Sequence, residues 1–211
     1  MRTFRILFAG AAAAALFLGA SATASGAGTA DPVSLSVTYT CDFPLIGKQD
    51  LPVKISGTMP DTAVVGQPTT VADYEADATV HEAITDVLRQ LEAKTVEGTG
   101  TAGVKATDGA GVTREYEVDL TVPRTPVPET GGLVVPAKGA VPPMTADNPG
   151  VARFDITPNF ATTLTPKKAD GSLTDLGTFT LNCNLKPGEK THLGDVLVTE
   201  SVAGHQPATR E

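Results

Sequence analysis

Three histidines, two cysteines and two short runs of alternating carboxylates are the residues in this chain with chemistry to offer. A hydrolytic triad needs a nucleophile beside a base that a third group orients. His81, His192 and His205 are scattered, and no G-x-S-x-G elbow presents a serine to any of them. His81 falls in the first turn of a helix-like stretch, His192 in a polar connection and His205 in the tail, so each reads as a surface residue. Zinc asks for about four ligands, and the cysteines and histidines show no ligand spacing. Asp73, Glu75 and Asp77 alternate, as do Glu115, Glu117 and Asp119. At a period of two, such carboxylates project from one strand face, where they could chelate calcium or form a glycosidase pair. The calcium-loop spacing is absent, and a sugar cleft needs aromatic walls that no Trp, three Tyr and seven Phe supply poorly. A solvated acidic face is the expectation. Gly98-Thr99-Gly100-Thr101-Ala102-Gly103 lacks the Lys-Ser/Thr that completes a phosphate loop, so a flexible or edge-strand segment is expected there. No catalytic, metal or cofactor-binding residue emerges. The expectation is a protein that is not an enzyme and carries no cofactor.

The elements around the cysteines speak more clearly. Leu35, Val37, Tyr39, Cys41 and Phe43 alternate with polar residues, and so do Phe179, Leu181, Cys183 and Leu185. That period places each cysteine on the apolar face of a half-buried strand. In an exported chain two cysteines point to one disulfide. A Cys41–Cys183 bridge would tie the first strand to one near the end, in one closed domain, and would leave no free thiol nucleophile. Further strands are expected at Leu51 to Ile55, Ala63 to Val71, Val112 to Val122, Gly132 to Pro136, Val151 to Thr157, Phe160 to Thr165 and Asp195 to Thr199. Many short strands separated by Gly, Pro and Asp turns indicate a mostly-β sandwich. One segment departs from this pattern. Thr79-x-x-Glu82 has the form of a capping box, and Ile84, Val87, Leu88 and Leu91 follow at helical spacing. The spacing predicts an amphipathic helix over Val80 to Ala93, plugging an open end or edge of the sandwich. The Pro-rich stretch from Pro123 to Pro149 reads as a long connection within the domain.

The N-terminus has the form of an export signal. Arg2 and Arg5 precede an apolar run from Ile6 to Ala20, and small residues offer cleavage after Ala24 or Ala30. The expected organisation is a signal peptide over 1–30, one β-sandwich domain over 31–200 and a flexible tail over 201–211. Without a leader containing Arg2 and Arg5, 14 basic residues face 24 acidic ones. Such a charge disfavours nucleic acid, and no later run is long and apolar enough to span a bilayer. Secretion, either into the medium or to loose residence in the cell wall, is the expected localisation.

Tyr39-Thr-Cys-Asp-Phe-Pro-Leu-Ile-Gly47, with Gly177-Thr-Phe-Thr-Leu-Asn-Cys183 near the end, resembles a family of secreted actinobacterial proteins catalogued as domain of unknown function 6801. The resemblance covers roughly Leu35 to Val198. It implies an immunoglobulin-like β-sandwich, supports the disulfide and supplies neither activity nor site residues. In the opening motif, Pro44 is expected to end strand pairing, Leu45 and Ile46 to tuck under the core, and Gly47 to allow the turn. The function expected is a non-catalytic structural or interaction module, with cell-wall material or a secreted protein as partner. The alternatives are a calcium- or small-ligand-dependent activity on the acidic strands, or a peptidase inhibitor presenting Arg124 from a loop over Pro123 to Pro128.

Overall fold

Alternation of buried and exposed residues runs through most of residues 29–201, which the computed structural model describes. Residues 1–28 of the expected leader and residues 202–211 of the tail, His205 among them, lie outside them. The strands are β1 (Ala30–Phe43), β2 (Gly47–Pro60), β3 (Thr62–Val64), β4 (Pro68–Thr69) and β5 (Ala72–Val80). The helix α1 (Glu82–Gln90) follows, then β6 (Thr95–Thr107), β7 (Thr113–Pro126), β8 (Leu133–Gly139) and β9 (Met144–Thr145). The chain ends with β10 (Gly150–Ile156), β11 (Asn159–Lys167), β12 (Phe179–Leu185) and β13 (His192–Thr199).

The order β11-β12-β1-β2-β5-β8-β7-β6 closes on itself, because β6 pairs back to β11 from Thr101↔Ala161 to Thr95↔Lys167. The chain forms a closed eight-stranded barrel, and the immunoglobulin-like sandwich is overturned. The physical reason lies in what alternation reports. It marks a strand as half-buried, but one sheet rolled on itself and two sheets face to face bury one face equally well. Closure depends on β6, the glycine-rich segment expected to be flexible or an edge. Its glycines allow close approach. A Cβ on Gly98 would stand 2.0 Å from the Thr163 carbonyl oxygen, and one on Gly100 would stand 2.9 Å from that of Ala161. Past Gly103, the edge of β6 passes from β11 to β10, from Val104↔Ile156 to Thr107↔Arg153. From there β10, β13 and β3 carry the sheet beyond the ring.

Cys41 and Cys183 form a disulfide with their Cα atoms 4.1 Å apart, directly opposed in the β1–β12 pairing. That seam is short. Its register holds only Tyr39↔Leu185, Thr40↔Asn184 and Cys41↔Cys183. Around the barrel, the charges of Lys48, Asp50 and Lys54 on β2 and of Glu115, Glu117 and Asp119 on β7 are exposed. This is the reverse of the apolar belt that a membrane barrel turns to lipid. Among the described residues no helix is long and apolar enough to cross a membrane.

Two local expectations are corrected. Thr79 and Val80 stay in β5, so the capping box does not form; His81 is the N-cap and makes no side-chain cap bond. Pairing of Thr79 and Val80 with Val134 and Leu133 holds them in the sheet. Glu82 accepts a hydrogen bond from the Gly131 amide at 2.9 Å, and Arg89 donates to the carbonyls of Pro128 and Gly131 at 3.0 Å each. These contacts moor α1 beside the start of β8. At the β1–β2 turn, Gly47 has φ +73° and Ile46 turns inward, whereas Leu45 is 75% exposed. Leu45 sits at the hairpin tip, where no element covers it.

Candidate functional site: an apolar cavity inside the barrel

An eight-stranded barrel has an interior that large side chains can just fill, or that holds one small ligand when they do not. Here one part of the wall is built from small residues. Ala76 and Ala78 on β5, Ala102 on β6 and Ala137 on β8 line the interior, where leucine-sized side chains would fill it. The larger Tyr39, Leu51 and Phe160 do not make up the difference, and a cavity of about 110 Å³ remains. No charged side chain lines it. Ile84, Val87 and Leu88 of α1 contribute to the lining, so the helix serves as a plug. Gly103, Thr157, Asn159 and Phe160 line both the cavity and an open polar cleft on the outer surface. The wall between cavity and solvent is therefore thin where β6 leaves β11.

Two phenols interrupt the carbon surface. Tyr39 on β1 and Tyr74 on β5 line the cavity, and each is 3% exposed. The Tyr39 ring stands edge-on to Phe160, with centroids 4.7 Å apart and planes at 83°. Burial, and then the neighbouring Tyr74, pushes the Tyr39 phenol far above its ordinary value. Burial pushes that of Tyr74 up to about 12. Both therefore remain neutral hydroxyls at any physiological pH.

The model of a family of unknown function (DUF6801) matches residues 38–194, most of the chain. The chain belongs to this family. The DUF6801 match contains both cysteines, α1 and every residue that lines the cavity. No curated protein and no solved structure matches the chain.

In this DUF6801 protein the two cysteines meet in the disulfide, whereas the described histidines and the acidic runs form no shared cluster. His81 is exposed at the start of α1, while His192 opens β13 with its Nε2 3.4 Å from Asp195. Glu75 pairs with Lys138 and Glu115 with Lys105, each at 3.2 Å, so both acidic runs are partly neutralised across strands. No group of three or more His, Cys, Asp or Glu placed to hold a metal occurs among the described residues. Residues 123–126 belong to β7 and Val127 is buried, so exposed Arg124 sits on a barrel strand and not on the protruding loop expected of an inhibitor. The cavity itself was missed. Its signal was the period-two placing of Ala76 and Ala78 and the small residues of β6, in segments whose acidic or glycine-rich character masked the strands.

Beside His192, the Arg153 guanidinium grips Asp155 through Nε at 2.8 Å and Nη2 at 3.0 Å, and Thr191 Oγ1 donates to the same carboxylate at 2.9 Å. Arg153 foremost, with help from Thr191, holds the Asp155 carboxyl below its ordinary 3.8. A carboxyl depressed in the folded state contributes stability that is complete above the unfolded value and is lost as pH falls through the folded one. Asp155→Asn should therefore lower Tm at pH 7 and lose less on acidification than the parent does below about pH 4. Melting curves from pH 2 to pH 7 check this; parallel acid limbs would refute it.

Proposed function

We propose that this protein is a non-catalytic extracellular module that works by binding a small apolar molecule inside its barrel. One observation carries the reading: a cavity of about 110 Å³ with no charge in its wall, in the interior of a barrel whose outside is charged. A natural core is packed to near crystal density, and voids larger than a water molecule are few because each forfeits dispersion contacts. A site that keeps alanine at Ala76, Ala78, Ala102 and Ala137 gives up that packing, as a ligand site does. The signal-like N-terminus and the Cys41–Cys183 bridge support export. The scatter of His81 and His192 and the pairing of the acidic strands support binding over catalysis.

An apolar cavity of about 150 Å³ accepts benzene or xenon in a small globular protein, so these two probes suit this one. The purified protein should melt at a higher temperature in saturating benzene. At a hundredfold excess over Kd the gain is about 2.7 kcal/mol. Xenon should perturb methyl resonances of Val53, Ile55, Leu120 and Leu181. No thermal shift with benzene, together with no resonance change under xenon, sinks the reading.

A further inference from the structure

The cavity wall is almost entirely carbon, and that makes its two buried hydroxyls informative. Tyr39 and Tyr74 are each 97% buried, and neither phenol has a hydrogen-bond partner among the described residues. Yet neither oxygen is among the fully enclosed unpartnered atoms, which are those of Thr95, Thr174 and His192, so a sphere the size of water still reaches each hydroxyl. Buried tyrosines ordinarily direct the hydroxyl to a partner, because a desolvated donor left unpaired is costly. Two strands, β1 and β5, carry these groups, with β2 between them. Two phenol-bearing residues thus line one small chamber from separate strands of the wall.

Resting on the cavity as the binding site, we infer that Tyr39 and Tyr74 select a small uncharged molecule with one hydrogen-bond-accepting oxygen, of the ketone class, and an otherwise hydrocarbon body. At about 110 Å³ the chamber is smaller than the cavity of about 150 Å³ that holds benzene, so about six non-hydrogen atoms is the upper limit of size. The wall sets the charge. With neither a cation nor a carboxylate in it, a bound ion would be buried unpaired, and the site discriminates against acids and amines. The phenols set the polarity. Both are held as neutral O–H donors, and a carbonyl oxygen with two lone pairs can accept from one or both. Specificity of this kind is strong because the site is built to hydrogen-bond, and an analogue lacking the oxygen leaves the hydroxyls unpaired.

Cyclopentanone and methylenecyclopentane have the same shape and size, and differ in a carbonyl oxygen against a CH2 group. Two of the three tyrosines of the chain line the cavity and there is no tryptophan, so tyrosine fluorescence reads occupancy directly. The native protein should bind cyclopentanone about tenfold more tightly than its hydrocarbon isostere, the scale of one net hydrogen bond. The double variant Tyr39→Phe/Tyr74→Phe, followed by calorimetry, should lose that preference while binding methylenecyclopentane as well as or better than the parent. Ala76→Leu, which adds bulk to the same inward face of β5 while leaving both tyrosines in place, should abolish binding of both probes and leave the protein folded. Equal affinity of the native protein for the two probes overturns the inference while leaving the cavity reading intact. A ketone preference that persists in the double variant does the same. Failure of both probes, in a protein that also ignores benzene and xenon, overturns both.

Discussion

Replacing Cys41 and Cys183 together with alanine should cost about 2–5 kcal/mol of stability, the usual range for a native disulfide. The upper end is favoured by the 142-residue separation of the cysteines. In the chain-entropy treatment, a loop of that length constrains the unfolded state by about 5 kcal/mol. The native side of the balance points the same way. The bridge staples the β12–β1 seam, where only three residue pairs are in register, against seven pairs between β11 and β6. Ring closure fails as soon as one seam opens, so the sulfurs reinforce the barrel where the backbone ladder is short. Urea unfolding should show a lower midpoint, and hydrogen exchange should accelerate first at the amides of β1 and β12. A loss below about 1 kcal/mol would mean that side-chain packing alone holds the seam. With Cys41 at 0% and Cys183 at 2% exposure, the bond should also resist reductant until the barrel opens.

Gly98→Val should be comparably damaging for a different reason. The position for its Cβ is 2.0 Å from the Thr163 carbonyl oxygen, 3.0 Å from the Thr163 carbonyl carbon and 3.1 Å from the Leu164 Cα. Those are backbone atoms in a paired strand, so no flexible side chain can swing away. The two strands must separate there, breaking the β6–β11 contact that turns an open sheet into a ring. Overpacking of this kind costs about 1–3 kcal/mol where the surroundings can yield, and more where they cannot. A value of about 3 kcal/mol or above is expected. Thr99→Val is the control, since Thr99 is the next residue on the same strand and is exposed. It should stay within about 0.5 kcal/mol of the parent. If both variants melt alike, β6 does not close the barrel in solution.

The contrast between those two neighbours shows how far the sequence could be read. Around Cys41 and Cys183 each side chain reports its own burial, because apolar and polar residues alternate strictly and a strand has two faces. Those strands were legible, and so was the helix with its inward Ile84 stripe. Gly98, Gly100 and Gly103 report nothing by periodicity, since a residue without a side chain has no preferred face. Their meaning resides in the carbonyls of Thr163 and Ala161 and in the side chain of Thr157, all more than fifty residues away along the chain. Asp73, Glu75 and Asp77 misled in another way. Their carboxylates drew the eye, while Tyr74, Ala76 and Ala78 formed the inward face of β5. Alanine is weakly apolar, so that face gave little contrast.

The amino-acid order by itself determined a mostly-β protein with two inward cysteines and one amphipathic helix. These are local properties, fixed by side-chain period and residue type. Whether the sheet stays open against a second one or rolls up, which strands meet at the closing seam, and whether alanine-lined faces converge on a shared void were decided only in three dimensions. Closure and cavity volume are properties of strands distant in sequence, set by backbone approach and by the sum of side-chain volumes across the barrel. No window along the chain contains that sum.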